Sequence, residues 1–307
     1  MRVLLLACSL IVISALAAAA VALPPANPGV CGNGRDNDGD GSEFDTGCND
    51  YYQWHLTQVN VNCSVDQGAL TKAWKRTLDK SQISYRITGR CEAPDFSPYL
   101  GLSAQGRNIK IAGQDNGSRC VDGPKATLFS NNLLSLGANQ GGHLWLNCLR
   151  MEAPAESAVT IGVFGNSYVR VGAIEFVNNN GTVSVNDGGV FRYFGAGETA
   201  EPSLTTFNSV RGRNDATLAF AGPIAVRSMV LQWSKADFVR RLTPLSLGDV
   251  ALYGSDIVIR ETDNADLSGS LTVQFDSTLT YKNRSDGSDF YDPGLLNLGP
   301  DSRIYTY

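Results

Sequence analysis

Histidine is nearly absent from this chain, which has only two, His55 and His143, and cysteine stops at Cys148. With so few imidazoles, no repeated histidine-based acid and base arrangement can be built. His143, in GGHLWLNC, reads as an outward strand residue rather than a base. A second half without cysteine must be held by packing. No lysine- or arginine-rich tail occurs, and the formal net charge of −5 opposes non-specific nucleic-acid binding, which needs a basic footprint. Neither a G-x-S-x-G elbow nor a P-loop nor a dinucleotide fingerprint is present, which sets aside serine hydrolases of that type and nucleotide binding. Helical periodicity, too, largely disappears after residue 81.

What is present begins with Met1, Arg2 and an apolar run from Val3 to Ala22 that ends in small residues before Leu23-Pro24-Pro25. This is the layout of a cleaved secretory signal over residues 1–22. An uncleaved anchor and a lipidated Cys8 are the weaker rivals. Of seven cysteines, six lie beyond that leader, and in an exported chain an even number suggests disulfides. Six allow 15 connectivities. We expect the sequential set: Cys31 with Cys48, Cys63 with Cys91, and Cys120 with Cys148.

Residues 23–52 form a small acidic module. In CGNGRDNDGDGSEFDTGC, Asp36, Asp38 and Asp40 alternate and Gly41 follows, the order in which an EF-hand-type loop wraps a hard cation in oxygen ligands. Three carboxylates so close repel one another unless a cation lies between them, and calcium is the expected ion. No flanking helices and no glutamate at the twelfth position complete an EF-hand, since Gly47 stands there. The stretch instead resembles the cysteine-bounded CGNGxDxDGDG modules of secreted bacterial proteins, akin to thrombospondin type 3 repeats. Where those carry their next carboxylate this chain has Phe44, so Glu43 or Asp45 has to complete the shell. A bare acidic linker is the alternative.

Residues 53–307 read as one domain. DQGALTKAWKRTLDKS sets Leu70, Ala73, Trp74 and Leu78 at helical spacing over 66–81, with Asp66 as N-cap. Short β-rich runs then take over: 83–89, 108–113, 143–151, 168–177, 190–195, 224–233, 250–260, 271–275 and 278–283. Several are doublets with a small residue or bend between them, as in YVRV-GA-IEFV, IAVR-S-MVLQ and VALY-GS-DIVIR. Strands that turn a corner and continue are what a solenoid requires. The expected fold is all-β, a right-handed parallel β-helix with an N-terminal capping helix. LLNLGPDSRIYTY is expected to cover the far end, with Tyr305 and Tyr307 packed.

CSVDQGALTKAW, then ISYRITGRCEAP, then NIKIAGQD resembles the opening of secreted β-helix proteins of the pectin-lyase-like superfamily. The likeness rests on Ile87, Gly89, Cys91, Glu92, Ile109, Ile111 and Gly113. Polysaccharide processing or binding is what the resemblance implies. Family hydrolases carry Asn-Thr-Asp, Asp-Asp, Gly-His-Gly and Arg-Ile-Lys motifs, and none of these is present in this sequence. The weak catalytic candidates are Asp256, Arg260, Glu261 and Asp263, in the arrangement a calcium-dependent lyase would need. Alternation also turns Lys110, Arg170, Arg227 and Arg260 outward, where stacked coils could align them toward an anionic glycan. The favoured expectation is a secreted or cell-surface, non-catalytic protein that binds glycan or an extracellular protein. A polysaccharide lyase or glycoside hydrolase is the runner-up.

Overall fold

The computed structural model describes residues 57–94, 102–113, 115–116, 119–120, 126–194, 204–240, 244–260 and 262–307. The expected leader, the expected acidic module with Asp36, Asp38, Asp40, Glu43 and Asp45, the expected Cys31–Cys48 pair, His55 and Glu261 lie outside those residues.

Alternation in single strands dictates the architecture. Gln82–Thr88 buries Ile83, Tyr85 and Ile87 while its other side chains stay partly exposed, so one face needs an apolar partner. Parallel pairing supplies it by stacking like on like. Ile83 lies beside Ile109, then Leu144, Val169, Phe191 and Leu218 in successive coils. Such ladders run the length of the molecule. They form a right-handed parallel β-helix with a front sheet of 11 strands, a back sheet of 10 and a side sheet of 4. The one antiparallel pair among the described strands is the short hairpin of Asp115–Asn116 with Arg119–Cys120.

Many corners are made by residues with positive φ. Cys148, at φ 55°, splits the expected strand 143–151 into His143–Asn147 of the front sheet and Leu149–Glu152 of the side sheet. YVRVGAIEFV also turns, between Tyr168–Val171 and Ile174–Phe176, but through Gly172 and Ala173 without a positive φ. IAVRSMVLQ does not turn. It is one strand, Ile224–Gln232, in which Arg227 and Ser228 both stay out of the core and break the alternation once. Together with Thr205–Arg213 and Leu245–Tyr253 it forms a run of nine-residue strands in which the back sheet takes over the path of the side sheet. A register shift between Gly181 and Thr182 accommodates the change.

The helix is shorter than its periodicity suggests, Ala69–Arg76, and leaves Leu78 exposed. Asp66 does not cap it. Its carboxylate accepts from the Gly68 N–H (3.1 Å) and from Lys72 Nζ (2.8 Å) instead. Leu70, Ala73 and Trp74 are buried, and the Trp74 ring stacks on Tyr85 at 5.6 Å, so the helix covers the core of the first coils. Cys63 is joined to Cys91 and Cys120 to Cys148, with Cα separations of 5.1 and 5.4 Å. Gly89, just before Cys91, has φ +77°, and a Cβ there would lie 2.6 Å from Ser64 Oγ. Only glycine fits that approach.

At the opposite end Leu296–Leu298 and Arg303–Thr306 add the last strands of the back and front sheets. The expected packing of Tyr305 and Tyr307 is not seen, because both remain about half exposed. Among the described residues no helix is long and apolar enough to cross a membrane.

Candidate functional site

The front sheet sorts its outward side chains into rows set by register. The central row runs Ser84, Lys110, Trp145, Arg170, Arg192, Ala219, Asp237, Val258 and Thr280. Its two halves differ in chemistry. The six front strands between Thr57 and Tyr193 contain no Asp or Glu, and they carry Arg86, Lys110, Arg170 and Arg192. Beyond them Asp237 and Asp256 enter the sheet.

Trp145 anchors the basic half. It belongs to the outward face yet is only 7% exposed, because cations flank its ring. Lys110 Nζ lies 4.0 Å from the ring centroid and the Arg170 guanidinium 4.5 Å from it. Arg170 also lies 4.4 Å from the Phe194 ring, over which Arg192 sits at 4.1 Å. Lysine, tryptophan and two arginines thus interleave along the coil axis, each cation over an aromatic face. Beside this row His143 packs on Tyr168, ring centroids 5.7 Å apart. Burial of the imidazole disfavours its cation and lowers its pKa from 6.5 to about 4. His143 is therefore a neutral, outward side chain at ordinary pH.

Of the expected basic row, Lys110 and Arg170 are brought together. Arg227 is not in it, because its strand belongs to the back sheet. Arg260 follows the front strand Asp256–Ile259 but is held by Asp237, Nη2 to Oδ2 at 2.7 Å and Nε to Oδ1 at 3.0 Å. Arg192, Trp145 and Phe194 were not singled out from sequence. HLWLN and VFRYFG read clearly as strands, and what was missing was the register that places Trp145 between Lys110 and Arg170.

Two members of the lyase-like group, Arg260 and Asp263, are held in structural contacts. Arg260 is engaged by Asp237, and Asp263 Oδ1 accepts the Ser285 N–H at 2.7 Å. Hydrogen bonding from Ser285, backbone first, holds the Asp263 carboxyl below its ordinary pKa. Asp256 is exposed and stands beside Lys235 in register. On the side sheet Arg90 pairs with Glu152 (2.8 Å) and covers the Phe129 ring at 3.4 Å, a second cation and aromatic contact tied to a carboxylate.

No protein-family model matches this chain, and no match was found among curated proteins or solved structures.

Proposed function

We propose that this chain is an exported, non-catalytic β-helix protein that binds an anionic glycan along the basic half of its front sheet. The observation that carries the reading is the Lys110–Trp145–Arg170–Arg192 row, on four successive strands within a run of six free of Asp and Glu, in a chain whose net charge is −5. Cations already laid on aromatic rings have lost much of their rotamer freedom during folding, so less ordering remains to oppose binding. Guanidinium groups in a row match carboxylates or sulfates spaced along a polymer. Two disulfides favour an oxidising compartment. The likeness of ISYRITGRCEAP and NIKIAGQD to the pectin-lyase-like superfamily supports polysaccharide over other polyanions.

Lyase or hydrolase activity is the weaker reading, since Arg260 and Asp263 are engaged by Asp237 and Ser285. We also propose that Asp36, Asp38 and Asp40, with Glu43 or Asp45, bind one calcium ion that stiffens the 23–52 module, a structural role. The test is to mix the purified mature chain with acidic and neutral polysaccharides, with calcium or with chelator, and follow retained polymer and unsaturated or reducing-end product together. Retention of acidic polymer without product is expected. Product formation would overturn the non-catalytic reading.

A further inference from the structure

A second surface lies at the corner where the back sheet passes into the front sheet. Successive coils cross this corner through Gly165, Asp187, Asn214, Trp233, Gly254 and Phe275, all with positive φ. Glycine, asparagine and aspartate are the residues such backbone favours, while a bulky side chain there strains it. Trp233 (φ 53°) and Phe275 (φ 57°) break the rule. They are also 60% and 64% exposed, so neither ring is placed there by the core. A large apolar side chain that strains its backbone and stays in water has no account in stability, which points to binding.

The two rings are arranged along the coil axis. Trp233 N–H donates to Tyr253 O at 2.9 Å and Gly254 N–H to Gln274 O at 3.2 Å, so the corners of Trp233, Gly254 and Phe275 are stacked. Two strand spacings separate the outer two, roughly 10 Å. A Cβ on Gly254 would overlap carbons of the Trp233 indole. The indole therefore lies across the glycine corner toward Phe275, and the Tyr253 ring stands 5.9 Å from the Phe275 ring. Outward Gln232 and Gln274 border the rings, each half-buried and adjoining its aromatic neighbour. Asp215 and Asp276 are exposed at the same corner.

We propose that this corner binds a neutral, extended oligosaccharide, with pyranose faces stacked on Trp233 and Phe275 and hydroxyls bonded by Gln232 and Gln274. Flat exposed rings suit the C–H faces of a sugar, and side-chain amides both donate to and accept from its hydroxyls. Asp215 and Asp276 offset Arg213, which is exposed in register with Gln232, so the corner lacks the acid-free basic face a polyanion would take. The aromatic strip is also narrow for a stable protein interface, which buries at least ~1,000 Å². The inference rests on the reading of the chain as a glycan-binding protein but uses a different surface from the front row.

The experiment is calorimetric titration of the folded chain with neutral β-linked oligosaccharides of glucose, xylose and N-acetylglucosamine, from one to six units. Affinity for one series should rise with length until both rings are covered, and it should hardly change with salt. Trp233→Ala and Phe275→Ala should each weaken binding at least tenfold. Trp233→Gly should abolish binding while leaving the melting temperature equal or higher, since glycine relieves the backbone; a purely structural tryptophan would lower it. No binding in any series, or binding unaffected by Trp233→Ala, overturns the proposal. Arg170→Ala separates the two surfaces. It should weaken retention of acidic polymer and leave neutral oligosaccharide binding intact, so either reading can fail alone.

Discussion

Asp237 grips Arg260 across neighbouring strands of the front sheet through two oxygens, Oδ2 on Nη2 at 2.7 Å and Oδ1 on Nε at 3.0 Å. The pair is partly exposed, and exposed pairs contribute about 0.2–1 kcal/mol. Arg260→Ala should therefore cost no more than about 1 kcal/mol in urea unfolding. It should leave retention of acidic polysaccharide unchanged, because this cation belongs to the Asp237 half of the sheet.

His143 gives stability a pH dependence. Its folded pKa of about 4 lies below the ordinary 6.5, so between those values the unfolded chain binds the proton that the folded chain refuses. Stability from this residue is complete above pH 6.5 and falls as pH drops toward 4, by on the order of 2 kcal/mol given the ring's partial exposure. Denaturant midpoints from pH 7.5 to 4.5 should show the decline. His143→Gln should flatten it, and an unchanged slope would show that other groups cause it.

A buried serine ladder lines the corner before the later front strands. Ser234 N–H donates to Ser255 Oγ (3.1 Å), Ser255 N–H to Ser277 Oγ (3.0 Å) and Ser277 N–H to Ser302 Oγ (3.3 Å). Ser255→Ala removes the acceptor of a buried N–H and should destabilise by about 1–3 kcal/mol. Ser285→Ala, on the exposed surface, should cost under about 0.5 kcal/mol by the same denaturation assay.

Cys63–Cys91 closes a loop with a sequence separation of 28 beside the capping helix. Chain entropy alone assigns such a loop about 3.6 kcal/mol. Replacing both cysteines by alanine should lower the unfolding free energy by that order and should speed hydrogen exchange in Ala69–Arg76 and Gln82–Thr88 before the later coils. Uniform loss of protection along the molecule would contradict a local role at this end.

The fold was legible because period-two alternation and corner residues are local signals. ISYRIT, NIKIA and YVRV each show a buried face without reference to any neighbour. Which sheet a strand joins is not local. IAVRSMVLQ has the same doublet look as YVRVGAIEFV, yet Arg227 and Ser228 break the alternation within one unbroken strand, whereas Gly172 and Ala173 separate two, and membership of the back sheet keeps Arg227 out of the front row. Variable coil length hid the register that places Arg192 beside Arg170, and with it the position of Trp145. The serines are visible in the sequence as NSY, WSK, GSD, DST and DSR, one before the front strands that begin at Tyr168, Lys235, Asp256, Thr278 and Arg303, but Gly189 and Ala216 interrupt the series and the spacing is irregular. Trp233 and Phe275 gave no warning, because nothing in a sequence marks an aromatic residue as the one at a left-handed corner.

Salt-dependent retention of an acidic polysaccharide such as polygalacturonate, compared between the natural chain and the Arg170→Ala/Arg192→Ala variant, tests the front-face reading most directly. The natural chain should bind, with affinity falling steeply as salt screens the contact, and the double variant should lose at least tenfold while Arg227→Ala loses nothing. Absence of binding at low salt, or equal losses in the double variant and Arg227→Ala, would contradict it.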